Sequence, residues 1–348
     1  MDRQSKVKIT IDDVAKKANV SKTTVSRYLN GKYEFMSENT KEMIQKVIEE
    51  LDYRPSTIAR SLKSGNSKVV GCVIADITNP FSSFIVKGIN DVCKEKGYQV
   101  LFVNTDDNKE SEIESIKSLM DHKLDGLIVN TTGYNDEYLL SIQSQGMPIV
   151  MADRCLKNKK WVDTVTSKNY TAAYECMDYL HKQGYTKAAF FTQKLGEISI
   201  RHERFLGYLS GVKDFFHQDG KEDTFIIDSK DEQVWENALH KLKEENQKEE
   251  ICIFAVNGVT LMEVITAMSK ADYIIGKDFG ICGFDDWGWA ALIPPGITTI
   301  TQDSYQTGVK AAQILIDRIQ NGVTKRKKFV ELATRLAERG STTPYSKK

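Results

Sequence analysis

The sequence contains no apolar run near the ~18 residues that a bilayer-spanning helix needs. Its opening residues, MDRQSKVKIT, lack the apolar stretch and small-residue cleavage site of a secretory signal. A membrane or exported protein is therefore not expected, and a cytoplasmic one is. The six cysteines form no CxxC pair, and no histidine stands at metal-ligand spacing. Cys72, Cys252 and Cys282 sit inside apolar, strand-like runs, so they read as small buried hydrophobes, and neither a metal site nor a cofactor is expected. GxxxxGK[ST], GxSxG and HExxH are missing, as is a GxGxxG after the first strand. The five histidines all fall in predicted helices, mostly near polar ends. Asp285 and Asp286 are an acidic pair, but adjacent residues on a loop more often point apart. No catalytic residue is assigned and the chain is not read as an enzyme.

Net charge is missing too, since Lys plus Arg and Asp plus Glu both number 48. The balance hides an asymmetry: residues 1–68 carry 14 basic and 9 acidic side chains. A small basic head on a larger acidic body is the distribution of a phosphate-binding unit joined to one that does not bind phosphate. With 348 residues, 41% hydrophobic and 28% charged, the chain is long enough for two or three packed units.

From Val69 onward, short runs rich in Val and Ile alternate with amphipathic stretches: VVGCVIA at 69–75, YQVLFVN at 98–104, LDGLIVN at 124–130 and MPIVMAD at 147–153. The rhythm restarts after VDTVTS, with AAFFT at 188–192, TFIID at 224–228, EICIFAV at 250–256 and FGICGFDD at 279–286. Such a series predicts parallel βαβ units with helices on both faces. Two successive series predict a bilobed α/β body of two doubly wound parallel sheets with a cleft between them. The first lobe is expected to hold 68–167 plus about 297–325, and the second 168–296 plus about 326–348.

The head, 1–54, reads as all-α. Thr10, Ser21 and Ser37 are positioned to cap helices over 11–18, 22–30 and 38–52. Only Asn19-Val20-Ser21 separates the first two, the tight joint of a helix-turn-helix. The second helix of that motif enters the major groove by its N-terminal end, so Lys22, Thr23 and Arg27 are the candidate base contacts. Lys and Arg donate to guanine O6 and N7, and Thr hydrogen-bonds a base or touches a thymine methyl. Thr10, Ser21, Ser37 and Thr40 are the candidate phosphate contacts. Residues 55–67 follow as hinge and linker. Ser56 to Lys63 has helical spacing but is too short to be stable alone, so it is expected to order only beside a second copy and DNA.

These segments resemble the lactose-repressor family (LacI/GalR-type) of bacterial transcription regulators. TIDDVAKKANVSKTTVSRYLNG is similar to the family's head signature and YRPSTIARSLKSG to its hinge. NPF, VNGVTLMEV, GFDD, PPGITTI and LAERGST carry the likeness through the body. Within the family, VSRYLNGKYEFMS and GFDDWGWAALIPPGITTI look most like the ketodeoxygluconate-utilisation regulators. The resemblance implies a periplasmic-binding-protein-like body, and a homodimer on a palindromic operator. It also implies paired hinge helices in the minor groove, with Leu62 as the wedge and Ala59 at the helix contact.

Candidate ligand positions lie at strand ends, where an open α/β sheet presents its contacts. Asp and Asn there can pair with vicinal hydroxyls, and an aromatic face can pack on a sugar ring. The resemblance assigns effector contacts to Phe81, Ser82, Asp153, Arg204, Asn257, Asp285 and Gln302, and Trp287 is the candidate stacking platform. Trp235 is a second candidate, because Glu232 falls where some members carry an aromatic. Arg201 and Arg204, one turn apart, suit either a carboxylate clamp or an ion network with Glu197 and Glu203. The effector implied is a small carbohydrate or its acid. Regulation by a partner protein and a solute-binding protein are the alternatives.

Overall fold

The structure is a computed structural model that describes residues 9–53, 66–322, 324 and 326–343. It divides into two compact units, Met1–Lys68 and Val69–Lys348. Ala59 and Leu62, the proposed hinge contacts, lie outside the described residues.

The first unit is built from helices α1 (Ile11–Lys17), α2 (Lys22–Leu29) and α3 (Glu38–Glu50). Each begins at the expected cap. The Thr10 side chain accepts from the Asp13 amide while Asp13 reaches back to the Thr10 backbone, closing a capping box. Ser21 accepts from Thr24 and Ser37 from Thr40. Asn19, at φ 50°, makes the left-handed turn between α1 and α2, a conformation Asn tolerates better than most residues. Val14, Ala18, Val25, Ile44 and Val47 bury their side chains together with Tyr53. The third helix stops at Glu50 rather than Asp52, because Asp52 itself turns left-handed at φ 44°.

The second unit contains two six-stranded sheets. The first comprises β1 (Val69–Ile74), β2 (Gln99–Asn104), β3 (Gly126–Val129), β4 (Ile149–Ala152), β5 (Asp163–Ser167) and β11 (Phe329–Leu332). Their order is β11-β5-β4-β3-β1-β2, with every pairing parallel. The second comprises β6 (Lys187–Thr192), β7 (Thr224–Ile226), β8 (Ile251–Ala255), β9 (Gly280–Phe284), β10 (Thr298–Thr301) and β12 (Arg335–Ala337). It runs β12-β10-β9-β8-β6-β7 and is parallel except for the edge strand β12. The central strands β3, β4, β8 and β9 are buried along their whole length, which is why they read as unbroken apolar runs rather than alternating ones. Edge strand β2 leaves Phe102 exposed and β7 leaves Ile226 exposed.

The expected crossovers between lobes need correcting. Residues 297–302 do not join the first lobe: Thr298 pairs with Cys282, Thr299 with Gly283 and Ile300 with Phe284 in the second sheet. Residues 329–332 do join it, Phe329 pairing with Thr164 and Leu332 with Ser167. Only helix Ser304–Asn321 and the strand after it return to the first lobe, and β12 goes back to the second. The chain therefore crosses between lobes three times, and each lobe owns one strand of the closing segment.

Helices α4 (Pro80–Glu95), α5 (Lys109–Met120), α6 (Asp136–Ser144) and α11 (Ser304–Asn321) serve the first sheet. Helices α7 (Asn169–Lys182), α8 (Ser199–Gly211), α9 (Glu232–Glu245) and α10 (Gly258–Lys270) serve the second. α4 and α11 cross at two glycines, with backbones so close that a Cβ on Gly88 would lie 2.2 Å from the Tyr305 carbonyl oxygen. One on Gly308 would lie 2.1 Å from that of Ile85. The base of α11 is fixed to β5 by a buried ion pair, in which Arg318 Nε and Nη2 each donate to Asp163 at 2.9 Å. The same carboxylate accepts from the Lys328 amide at 2.7 Å and so places β11. All six cysteines are buried thiols. His122 and His217 lie just past helical segments instead of within them, His217 at φ 58° closing a π-helical turn, Val212–Phe216.

Candidate functional site

In both sheets the strand order reverses beside the first strand, between β1 and β3 in one and between β6 and β8 in the other. Connections leave in opposite directions there and open a crevice at the carboxyl ends of the strands. The two crevices face one another across a cavity of about 140 Å³. Its walls include Asp76, Asn79, Phe81, Ser82, Asp107, Asn130, Asp153 and Arg154 from the first lobe, and Gln193, Arg201, Arg204, Asn257, Asp285 and Gln302 from the second.

Seven of the eight expected effector positions line this cavity; Trp287 does not. Its ring packs on Gly258, where a Cβ would meet it at 2.5 Å, and lies edge-on to Trp289. It borders a neighbouring hollow that shares Phe81, Asp285 and Gln302 with the cleft. Trp235 is also excluded as a stacking platform. It sits in the second-lobe core, its indole N–H donating to the Ser229 carbonyl at 3.0 Å. Glu232 pairs with Lys270.

The second-lobe side is one hydrogen-bonded chain. Arg204 is buried over the Phe284 ring at 3.8 Å. Its Nε donates to Asn169 at 2.8 Å, Nη1 to the Val256 carbonyl at 2.8 Å and Nη2 to Gln302 Oε1 at 3.1 Å. Gln302 Nε2 passes the chain to Asp285 Oδ1 at 2.7 Å, and Asp285 Oδ2 accepts from the Gly258 amide at the start of α10, at 3.1 Å. Burial pushes the Arg204 pKa down, against the pull of Asp285 and Asp153. Asn257 caps α10 through the Thr260 amide at 2.9 Å and donates to Gln193 at 3.1 Å.

The first-lobe side is less complete. Asp153 follows β4 at φ 70°, just as Asp285 follows β9 at φ 77°, and such backbone strain clusters at ligand sites. Asp153 is 3% exposed, and its Oδ1 has no hydrogen-bond partner among the described residues. Burial raises its pKa to about 6, with Arg204 and Arg154 pulling it down. Arg154 is buried beside it and pairs with Asp107. Burial opposes the charge on Asp107, but the Arg154 guanidinium outweighs it and holds the carboxyl below its ordinary value. Arg201 is pushed down to about 10 by burial and by the charge of Arg154. Among the described residues the alternative surface network does not form: Glu203 pairs with Lys159 and Glu197 with Lys157, while Arg201 donates to the Lys194 carbonyl at 2.7 Å.

Sequence reasoning missed Asp76, Asp107, Asn130, Arg154 and Gln193. The signal was available, since each stands one to three residues past a strand, the rule that found Asp153 and Asp285.

On the head, Lys22, Thr23 and Arg27 are all exposed at the start of α2 or a turn later. Lys22 is held by Asp12 at 2.8 Å with both groups about half exposed. Thr10, Ser21, Ser37 and Thr40 cluster at helix N-termini, where unpaired amides and the helix dipole favour an anion.

Residues 10–56 match the model of the bacterial regulatory proteins of the lacI family. Residues 67–330 match that of periplasmic binding proteins and the sugar-binding domain of the LacI family. The chain belongs to the LacI family. It is a helix-turn-helix transcriptional regulator and not an enzyme. It is 40% identical to the HTH-type transcriptional regulator KdgR of Bacillus subtilis (strain 168), over 89% of this chain and 91% of that protein. It is 32% identical to PtxS of Pseudomonas putida, over 97% of each. Among solved structures, a lac repressor dimer bound to operator and the anti-inducer ONPF shares the fold, with a TM-score of 0.83 and 20% identity over 97% of this chain and 100% of that one. A CelR–cellobiose complex does so with a TM-score of 0.70 and 22% identity, over 96% and 99%. Among the described residues no helix is long and apolar enough to cross a membrane.

Proposed function

We propose that the protein is a cytoplasmic repressor that binds a palindromic operator as a homodimer and is controlled by a sugar acid held in the cleft. The observation that carries the effector class is the lining: three guanidinium groups, Arg154, Arg201 and Arg204, stand among strand-end Asp and Asn side chains. The carboxylates and amides suit hydroxyls, and the guanidiniums of Arg154 and Arg201 suit a carboxylate. The likeness to KdgR makes 2-keto-3-deoxygluconate the first probe. Two heads are needed because one helix-turn-helix reads only half a site, and two-fold symmetry in the protein matches two-fold symmetry in the DNA.

Ligand shifts the repressor toward a form with lower DNA affinity, and reciprocity requires operator DNA to lower ligand affinity by the same factor. Operator gel shifts titrated with sugar acids test this. Asp285→Ala breaks the link from Gln302 to the start of α10 and is expected to abolish the ligand response while operator binding persists. Full sensitivity in that variant overturns the cleft reading. On the head, Arg27→Ala is expected to weaken specific binding by roughly 1–3 kcal/mol and relax discrimination at one base pair. Equal weakening on random DNA would show a phosphate contact instead.

A further inference from the structure

The cleft holds an unfinished ion pair. Arg154 is nine-tenths buried and lines the cavity, and its Nε has no hydrogen-bond partner among the described residues. Its guanidinium is engaged at one end only, where Nη1 donates to Asp107 and to the Thr131 carbonyl at 3.0 Å. Nη2 reaches the other Asp107 oxygen only at 3.5 Å, the outer limit of a hydrogen bond. A guanidinium and a carboxylate pair best through two parallel N–H bonds of equal length, and Asp107 does not supply that geometry. Asp107 is held in place by its own backbone, at φ 52° with its amide on the Ala75 carbonyl at 2.7 Å. Its backbone is thus fixed, and only rotation of the side chain can change the pairing. Arg201 also lines this cavity, and its guanidinium donates to the Lys194 carbonyl at 2.7 Å.

Building on the cleft reading above, we propose that Arg154, with Arg201 beside it, is the carboxylate-recognition subsite. Asp107 is its internal placeholder, giving up the guanidinium to the effector's carboxylate. The exchange keeps the buried charge of Arg154 compensated in both states, so the empty protein is not left with an isolated cation in the cleft. It also explains why the cavity carries more guanidinium than a neutral sugar requires. Arg204 is a poor candidate for the role, because each of its three guanidinium nitrogens already donates to a protein acceptor. Discrimination between a sugar acid and a neutral sugar thus rests on Arg154. The recognition of hydroxyls rests on Asp153, Asn257 and Asp285.

The test is isothermal titration of the full-length protein with 2-keto-3-deoxygluconate, 2-ketogluconate and D-galacturonate, against sorbitol and D-galactose as uncharged counterparts. Arg154→Gln, Arg154→Lys, Asp107→Asn and Asp285→Ala are compared with the parent, with operator binding and thermal melting as folding controls. Arg154→Gln is expected to lower affinity for the acid that binds by about tenfold or more, with Arg154→Lys recovering only part of it because the fork is lost. Asp107→Asn is expected to raise acid affinity severalfold by removing the competitor. An acid whose binding requires Asp285 but tolerates Arg154→Gln overturns the subsite and leaves the cleft reading standing. Reduced acid affinity in Asp107→Asn overturns the placeholder role. Binding of none of the three acids by the parent overturns the subsite together with the acid-effector reading.

Discussion

Asp153→Asn isolates the energetic cost of keeping a carboxylate at the floor of the cleft. Its folded-state pKa of about 6 stands above the ordinary 3.8 because of burial. A difference of about two units corresponds to about 3 kcal/mol. Below about pH 4 the group is protonated in both folded and unfolded chains and contributes nothing to the pH dependence. Between about pH 4 and 6 the unfolded chain ionises first, so stability falls as pH rises, and above about 6 the full penalty stands. Asparagine is neutral throughout and tolerates the left-handed backbone that Asp153 adopts. The amide NH2 group replaces the orphaned oxygen and, lacking an acceptor, takes back about 1 kcal/mol. The variant is therefore expected to be more stable than the parent by about 2 kcal/mol at pH 8, and by much less at pH 4.5. Urea unfolding of the ligand-free protein at the two pH values measures the difference. A variant less stable than the parent at pH 8, or a gap independent of pH, would refute the argument that burial dominates at Asp153.

Two further predictions concern the scaffold. Asp163→Ala leaves the buried Arg318 guanidinium uncompensated and frees the start of β11, and is expected to cost about 3–5 kcal/mol in denaturant unfolding; a loss under 1 kcal/mol would refute the role of this pair as an anchor. Gly308→Ala places a methyl group 2.1 Å from the Ile85 carbonyl oxygen, so α4 and α11 must separate. A drop in melting temperature is expected despite alanine's better helix propensity, and an unchanged or higher melting temperature would contradict the close helix contact.

Local chemistry made much of this protein legible in the sequence. The caps at Thr10, Ser21 and Ser37 depend on residues within three or four positions of one another, so the three head helices could be read directly. The strand–helix rhythm of the body likewise reflects burial on both faces, which a run such as EICIFAV records without help from distant residues. The strand-end rule reached Asp153, Asn257 and Asp285 because it needs only the position of each strand. What only the tertiary structure decided are the pairings between segments remote in sequence. Residues 297–302 and 329–332 each look like a strand, but which sheet takes them depends on register against β9 and β5, and nothing local encodes that. Trp287 has the composition of a sugar platform, yet Gly258, 29 positions earlier, offers its ring a bed away from the cavity. Arg204 looked like a free clamp because its acceptors, Asn169, Val256 and Gln302, come from three separate segments. The unfinished guanidinium of Arg154 was invisible for the same reason: its partner Asp107 lies 47 residues away, and only the segments that follow β2 and β4 bring the two together.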